Sequence, residues 1–138
     1  MDSYGSGPFT LSEPEIREDF QLDPTCLDHL SAMSESLSLR GINFIVVLLP
    51  QMPAWRDAYD SGGARDAEFR TAVSRRLDGT RTVLIDAQQG LHLRDDHFTD
   101  HAHLQWTSVP LLMRYLITQL DKSELSLTHA SGAIHHAL

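Results

Sequence analysis

The sequence predicts an α/β fold, a three-layer arrangement with helices on both faces of a parallel sheet that this chain leaves incomplete. Two observations predict it. Segments of helical and strand pattern alternate in the order helix, strand, helix, strand, helix. Residues 42–49, INFIVVLL, are β-branched and nearly all apolar without alternation, the pattern of a strand covered on both faces. Right-handed crossovers would set the two strands parallel in one sheet. Two strands are too few to stand alone. An amino-terminal arm, another chain (a second copy or a partner) or the remainder of a larger domain is expected to complete the sheet.

Each element has its own signal. Residues 1–22 mix Gly, Ser, Pro and acids and read as an irregular arm. Phe9 and Phe20 are candidates to dock, and Glu13, Glu15, Glu18 and Asp19 form a solvated run. Residues 23–121 read as the α/β body. Asp23-Pro24 is a helix start, an N-cap followed by proline in the first turn. Leu27, Leu30, Met33 and Leu37 recur at spacings of three and four, and Gly41 closes the helix over 24–40. Cys26 is expected in the core as a small apolar residue.

Pro50 and Pro53 end the first strand, and residues 51–63 read as a loop containing Trp55 and Tyr59. Residues 64–77 read as a second helix. Phe69, Ala72, Val73 and Leu77 line its buried stripe, while Arg70, Arg75 and Arg76 face water. Asp78-Gly79 is a turn, and residues 82–85 form a second strand, with Asp86 capping the segment after it. A loop of about twenty residues comes next, a length that often signals function. Thr107 or Ser108 then caps a third helix, with Pro110 in its first turn. Its stripe is Val109, Leu112, Met113, Leu116 and Leu120. Residues 122–138 read as a tail in which His129, His135 and His136 are solvated.

Of the 138 residues, 19 are acidic and 11 are Lys or Arg, for a net charge of −8. This argues against nucleic acid as the main partner, because phosphate binding needs a basic face. The longest apolar run is far short of a membrane span of ~20 residues. No signal peptide is visible at the start, and the compartment stays open.

Chemistry-bearing side chains concentrate in the long loop, whose end reads LRDDHFTDHAHLQW. It follows a strand and precedes a helix, the edge of an open α/β sheet where ligands bind. Asp95 and Asp96 read most simply as a solvated turn. Asp100 and His103 are three residues apart. On a turn, that spacing lets the carboxylate accept from imidazole Nδ1, fix the tautomer and leave Nε2 free to take a proton. The plainer alternative is a helix-terminal Asp beside a partly buried His. A rival reading is a metal site made from His97, His101 and His103 with neighbouring carboxylates.

The stretch FTDHAHLQ, residues 98–105, resembles the last conserved block of SGNH/GDSL hydrolases. That block reads aromatic, one residue, Asp, two residues, His, Leu, Asn, before a helix. Upstream, residues 27–40 resemble the helix before the family's penultimate strand. GINFIVVLLP (41–50) resembles its Gly-Ile, strand, Pro element, and TVLID (82–86) its last strand. The likeness spans roughly residues 25–120. It is nearest to the bacterial SGNH-like proteins linked to O-acylation of cell-surface polysaccharides, many of them extracytoplasmic.

The resemblance implies the carboxy-terminal half of a flavodoxin-like SGNH domain, acting as an esterase or O-acyltransferase on acyl esters, including acylated carbohydrate. It implies His103 as general base and Asp100 as its orienting partner, with no cofactor. Trp55, Trp106 and Pro50 are the substrate-binding candidates, with packing of the tryptophans as the plainer reading. Gln105 stands where the family has Asn, and Ser108 stands near a common Gly. The family's Gly-Asp-Ser block has no counterpart, since Asp2-Ser3 follows no strand, and the oxyanion-hole residues have no clear match. The alternative is a truncated, non-catalytic binding or interaction module.

Overall fold

The structure, a computed structural model, describes residues 21–123. The expectations for Ser3, Phe9, Phe20, the acidic run 13–19 and the histidines of the tail lie outside these residues. The described chain is α/β. In order it forms α1 (Pro24–Leu39), β1 (Phe44–Leu48), α2 (Pro53–Tyr59), α3 (Ala64–Leu77), β2 (Thr82–Asp86), α4 (Ala87–Gly90) and α5 (Val109–Lys122). The strands pair in parallel, from Phe44 opposite Thr82 to Leu48 opposite Asp86. Among the described residues the sheet has these two strands.

α1 begins and ends as the sequence predicts. The Asp23 carboxylate accepts from the Thr25 N–H at 2.8 Å, and Pro24 occupies the first helical position. At the other end Gly41 takes φ +70°. Its N–H donates to the Ser38 carbonyl at 3.0 Å and the Ile42 N–H to the Leu37 carbonyl at 2.9 Å. That crossed pair satisfies the helix's last carbonyls and turns the chain into β1.

The main buried cluster lies on one face of the sheet. Leu48, Val73 and Leu77 are buried, and Leu27, Leu30, Val46, Phe69 and Leu84 pack around them. So α1 and α3 cover the face that presents Val46, Leu48 and Leu84. The expectation that β1 is covered on both faces is corrected: Ile45, on the opposite face by strand alternation, is 37% exposed. On that same face Ile85 of β2 is buried, so the described chain seals the side over β2 and leaves it open at Ile45.

The α1 stripe is shifted from the expected one. Met33 is exposed and Ser34 is fully buried. Ser34 Oγ donates to Thr80 Oγ1 at 2.8 Å and meets Thr82 Oγ1, so a polar residue sits where α1 crosses the start of β2. Cys26 is exposed, which corrects its placement in the core. It lies one position before Leu27, about 100° around the helix from the packed stripe.

Three further expectations change. The loop over 51–63 contains α2, whose short length and flanking prolines hid it. Arg70 does not face water: it pairs with Asp66 one turn back and with Asp86 at the end of β2. Asp86 also caps α4 as expected, accepting from the Gln89 N–H at 2.9 Å. The long loop is built rather than irregular. It holds α4, tight turns at Asp95–His97 and Trp106–Ser108, and an antiparallel bridge between Phe98 and Leu104.

α5 starts after Ser108, with Pro110 in its first turn. The Tyr115 hydroxyl ties it to the sheet by donating to the Asp86 carbonyl at 3.1 Å. Its apolar stripe is only half covered, and Met113 is exposed. Among the described residues, no helix is long and apolar enough to cross a membrane.

Candidate active site

Parallel strands send both connecting segments out at their carboxy-terminal ends, so residues 49–53 and 87–106 meet at one edge of the sheet. Backbone amides stitch them together. The Gln51 N–H donates to Gln88 Oε1 at 2.6 Å, the Met52 N–H to the His101 carbonyl at 3.0 Å, and the Ala54 N–H to Asp95 Oδ1 at 2.9 Å. Asp95 thus satisfies a free amide in the first turn of α2. Asp95 stays exposed at the head of its tight turn, the solvated turn position that the sequence predicts. Asp96 is an exposed partner of Arg94.

Residues 97–105 fold back on themselves. The Gln105 N–H donates to the His97 carbonyl at 2.8 Å and the Thr99 N–H to the His103 carbonyl at 2.7 Å. Gln105 Nε2 donates to the Phe98 carbonyl at 3.2 Å. Phe98, 1% exposed, anchors the turn below. This burial is the physical role of the aromatic residue in the FTDHAH stretch.

At the tip, Asp100 organises everything. Its Oδ1 accepts from the N–H groups of Ala102 at 2.9 Å and His103 at 2.8 Å. His103 Nδ1 lies 2.8 Å from Oδ2 and 3.0 Å from Oδ1. An ionised carboxylate only accepts, so Nδ1 bears the proton and Nε2 carries the free lone pair. Partial burial works against the Asp100 charge. Hydrogen bonds from Ala102 and His103 outweigh it and hold the carboxyl below its ordinary pKa. The His103 side chain is 79% exposed.

The other candidates take separate positions. His101 stacks on Trp55, ring centroids 5.2 Å apart, and Trp55 in turn meets Tyr59 at 5.2 Å. Trp55 therefore borders the Asp100–His103 turn through His101. Pro50 is buried at the end of β1. Trp106 is 68% exposed, so it is not a core residue. His97 Nδ1 accepts from the Arg94 N–H at 2.9 Å.

The three histidines of the metal reading thus go to three different partners. Among the described residues, no three His, Cys, Asp or Glu side chains gather closely enough to hold a metal ion. Among the described residues, none donates a hydroxyl or thiol hydrogen bond to His103 Nε2. The arrangement can hold an imidazole in one tautomer and present its basic nitrogen outward.

Sequence reasoning missed Gln51, Gln88 and Met52, which brace the turn, and the contact that Asp95 makes with α2. Their contacts are long-range and use backbone amides, which leave no periodic trace. The pair of glutamines shortly after the strand-ending Asp86 was the one local hint. No family model, curated protein or solved structure matches the chain.

Proposed function

We propose that this chain is the carboxy-terminal half of a three-layer, SGNH-type α/β domain. Its Asp100–His103 pair is the acid–base part of an esterase or O-acyltransferase for ester-linked acyl groups, with acylated carbohydrate among the substrates. The observation that carries this reading is the 2.8 Å contact between His103 Nδ1 and Asp100 Oδ2 at the carboxy-terminal edge of a parallel sheet. In the chemistry, a hydroxyl attacks the ester carbonyl and His103 Nε2 takes its proton. Asp100 stabilises the imidazolium and keeps the ring oriented. His103 then returns the proton to the leaving alkoxide. Trp55, seated beside His101, and the exposed Trp106 are the apolar surfaces nearest in sequence and structure for an acyl chain.

The nucleophile lies outside the described residues or on another polypeptide. That absence among the described residues favours a second reading, a non-catalytic module that retains the pair as a structural turn. One experiment separates them. The full chain is assayed for p-nitrophenyl acetate turnover beside His103→Ala and Asp100→Ala, and labelled with a fluorophosphonate read by mass spectrometry. The enzyme reading expects turnover that falls by about 10³-fold or more in His103→Ala, and a single labelled serine. Turnover no higher than that of His103→Ala, with no labelled serine, leaves the module reading.

A further inference from the structure

β1 is an edge strand without edge protection. Among the described residues its one strand partner is β2, which leaves its other side unpaired. Exposed edges are normally guarded by charges, prolines or bulges, because their free N–H and C=O groups recruit other strands. β1 has none of these within Phe44–Leu48. Residues 41–55 contain no charged residue and no histidine. Ile42, Ile45 and Leu49 are exposed along it.

β2 is built differently. Arg81 precedes it and Asp86 ends it. A cleft of about 340 Å³ beside it is lined by Arg70, Thr71, Ser74, Arg75, Leu84 and Asp86. The two sides of the sheet therefore contrast, with charge beside β2 and a bare apolar strand at β1.

We infer that β1 pairs with β1 of a second copy, antiparallel about a two-fold axis through Val46, to make a four-stranded sheet. The inference does not rest on the acid–base reading of Asp100 and His103, and it gives to a second copy the edge that further strands of a larger sheet would otherwise take. The strand is self-complementary in this register. Phe44 falls opposite the partner's Leu48, Ile45 opposite the partner's Val47, and Val46 opposite its own copy, each pair apolar and on a common face. Charge also selects this occupant. Two copies each carrying −8 repel across most of their surface, but nothing repels across an uncharged strip. Residues 1–20 and 124–138 are the competing occupants within the chain; the first segment carries Glu13, Glu15, Glu18 and Asp19 in its second half, a poor match for an apolar edge.

The test is sedimentation velocity of the full chain from 1 to 100 µM, with Ile45→Lys as the edge-blocking variant. Ile45 is exposed, so the lysine needs no core rearrangement. A dimer is expected whose dissociation constant rises by about 10-fold or more in Ile45→Lys, because a lysine on an edge strand opposes strand pairing. Register is read by oxidative cross-linking of Cys26→Ser/Val46→Cys. Symmetric antiparallel neighbours at one position have Cα atoms roughly 4.5–5.5 Å apart, within disulfide reach. A disulfide-linked dimer is expected there and not in Cys26→Ser/Leu39→Cys.

A monomer at 100 µM overturns the inference, and protected amides over 44–48 in that monomer would assign the edge to another segment of the same chain instead. A dimer that neither Ile45→Lys weakens nor Val46→Cys links overturns it too. If Ile45→Lys fails to fold, the cross-link decides alone.

Discussion

Asp100 gains its partners only as a carboxylate. Two backbone amides and the His103 ring donate to it, and its folded pKa is lowered in consequence. A lowered folded value means the ionised form stabilises the fold above the unfolded carboxylate pKa, about 4. That contribution disappears as pH falls through the still lower folded value. The Asp100 side-chain carboxyl carbon is therefore expected to show its own protonation step below about pH 4 in an NMR titration. An Asp100 protonation step centred above pH 5 would contradict the carboxylate cap. Ser34 makes a second residue-scale case. Its buried hydroxyl serves Thr80 and Thr82, so Ser34→Ala should cost about 1–3 kcal/mol in a urea melt, the range for unpaired buried hydroxyls. The spacing of Asp100 and His103 was enough to expect their contact, because it is local. The burial of Ser34 and the exposure of Cys26 were illegible, because both depend on how α1 rolls against α3 and β2.

Element starts and stops were legible where one residue type enforces them, as at Pro24, Gly41 and Pro110. They were hidden where the cap comes from elsewhere in the chain. α3 shows this best. Its N-cap is Gly63 at φ +71°, with no side chain to offer. The Asp60 carboxylate substitutes, accepting from the N–H groups of Arg65 at 3.0 Å and Asp66 at 2.9 Å. Burial opposes its charge, yet those amides and the Arg65 charge prevail and lower its pKa. Asp60→Ala should destabilise the chain by about 1 kcal/mol, as loss of a helix cap does, with Asp60→Asn milder. The junction of α4 and α5 is constrained by shape. A Cβ on Gly90 would stand 1.8 Å from the Tyr115 hydroxyl and 2.6 Å from its ring carbon. Gly90→Ala must displace that ring and break its bond to the Asp86 carbonyl, at about 1–3 kcal/mol by the overpacking range. Thermal melts of Gly90→Ala, Tyr115→Leu and the double variant check this. The alanine should cost little once Tyr115 is leucine, because the two changes share one contact.

At the scale of the molecule, an apolar, unalternating strand announced a sheet with two buried faces, but the described chain covers one of them and leaves Ile45 of β1 exposed on the other. The buried apolar residues are Leu48, Met52, Val73, Leu77, Ile85, Ala87 and Phe98, a small core for 103 described residues (21–123). Chains with so little burial sit near the limit of independent stability. Whatever covers β1 then becomes part of the folding equilibrium, and with a second copy as the cover, stability must depend on concentration by mass action. Each tenfold increase adds about 1.4 kcal/mol per dimer, or about 0.7 kcal/mol per chain. For a domain of this size that corresponds to a melting temperature higher by about 3 °C per decade. Calorimetry of the full chain over two decades of concentration should show that slope, and Ile45→Lys should flatten it. The same variant leaves the Asp100–His103 turn untouched, so the Asp100 carboxyl resonance should titrate in it as in the parent chain. A flat melting temperature in the parent would mean that the body of residues 23–121 is stable with β1 unpaired. The uncharged edge would then need a different physical explanation.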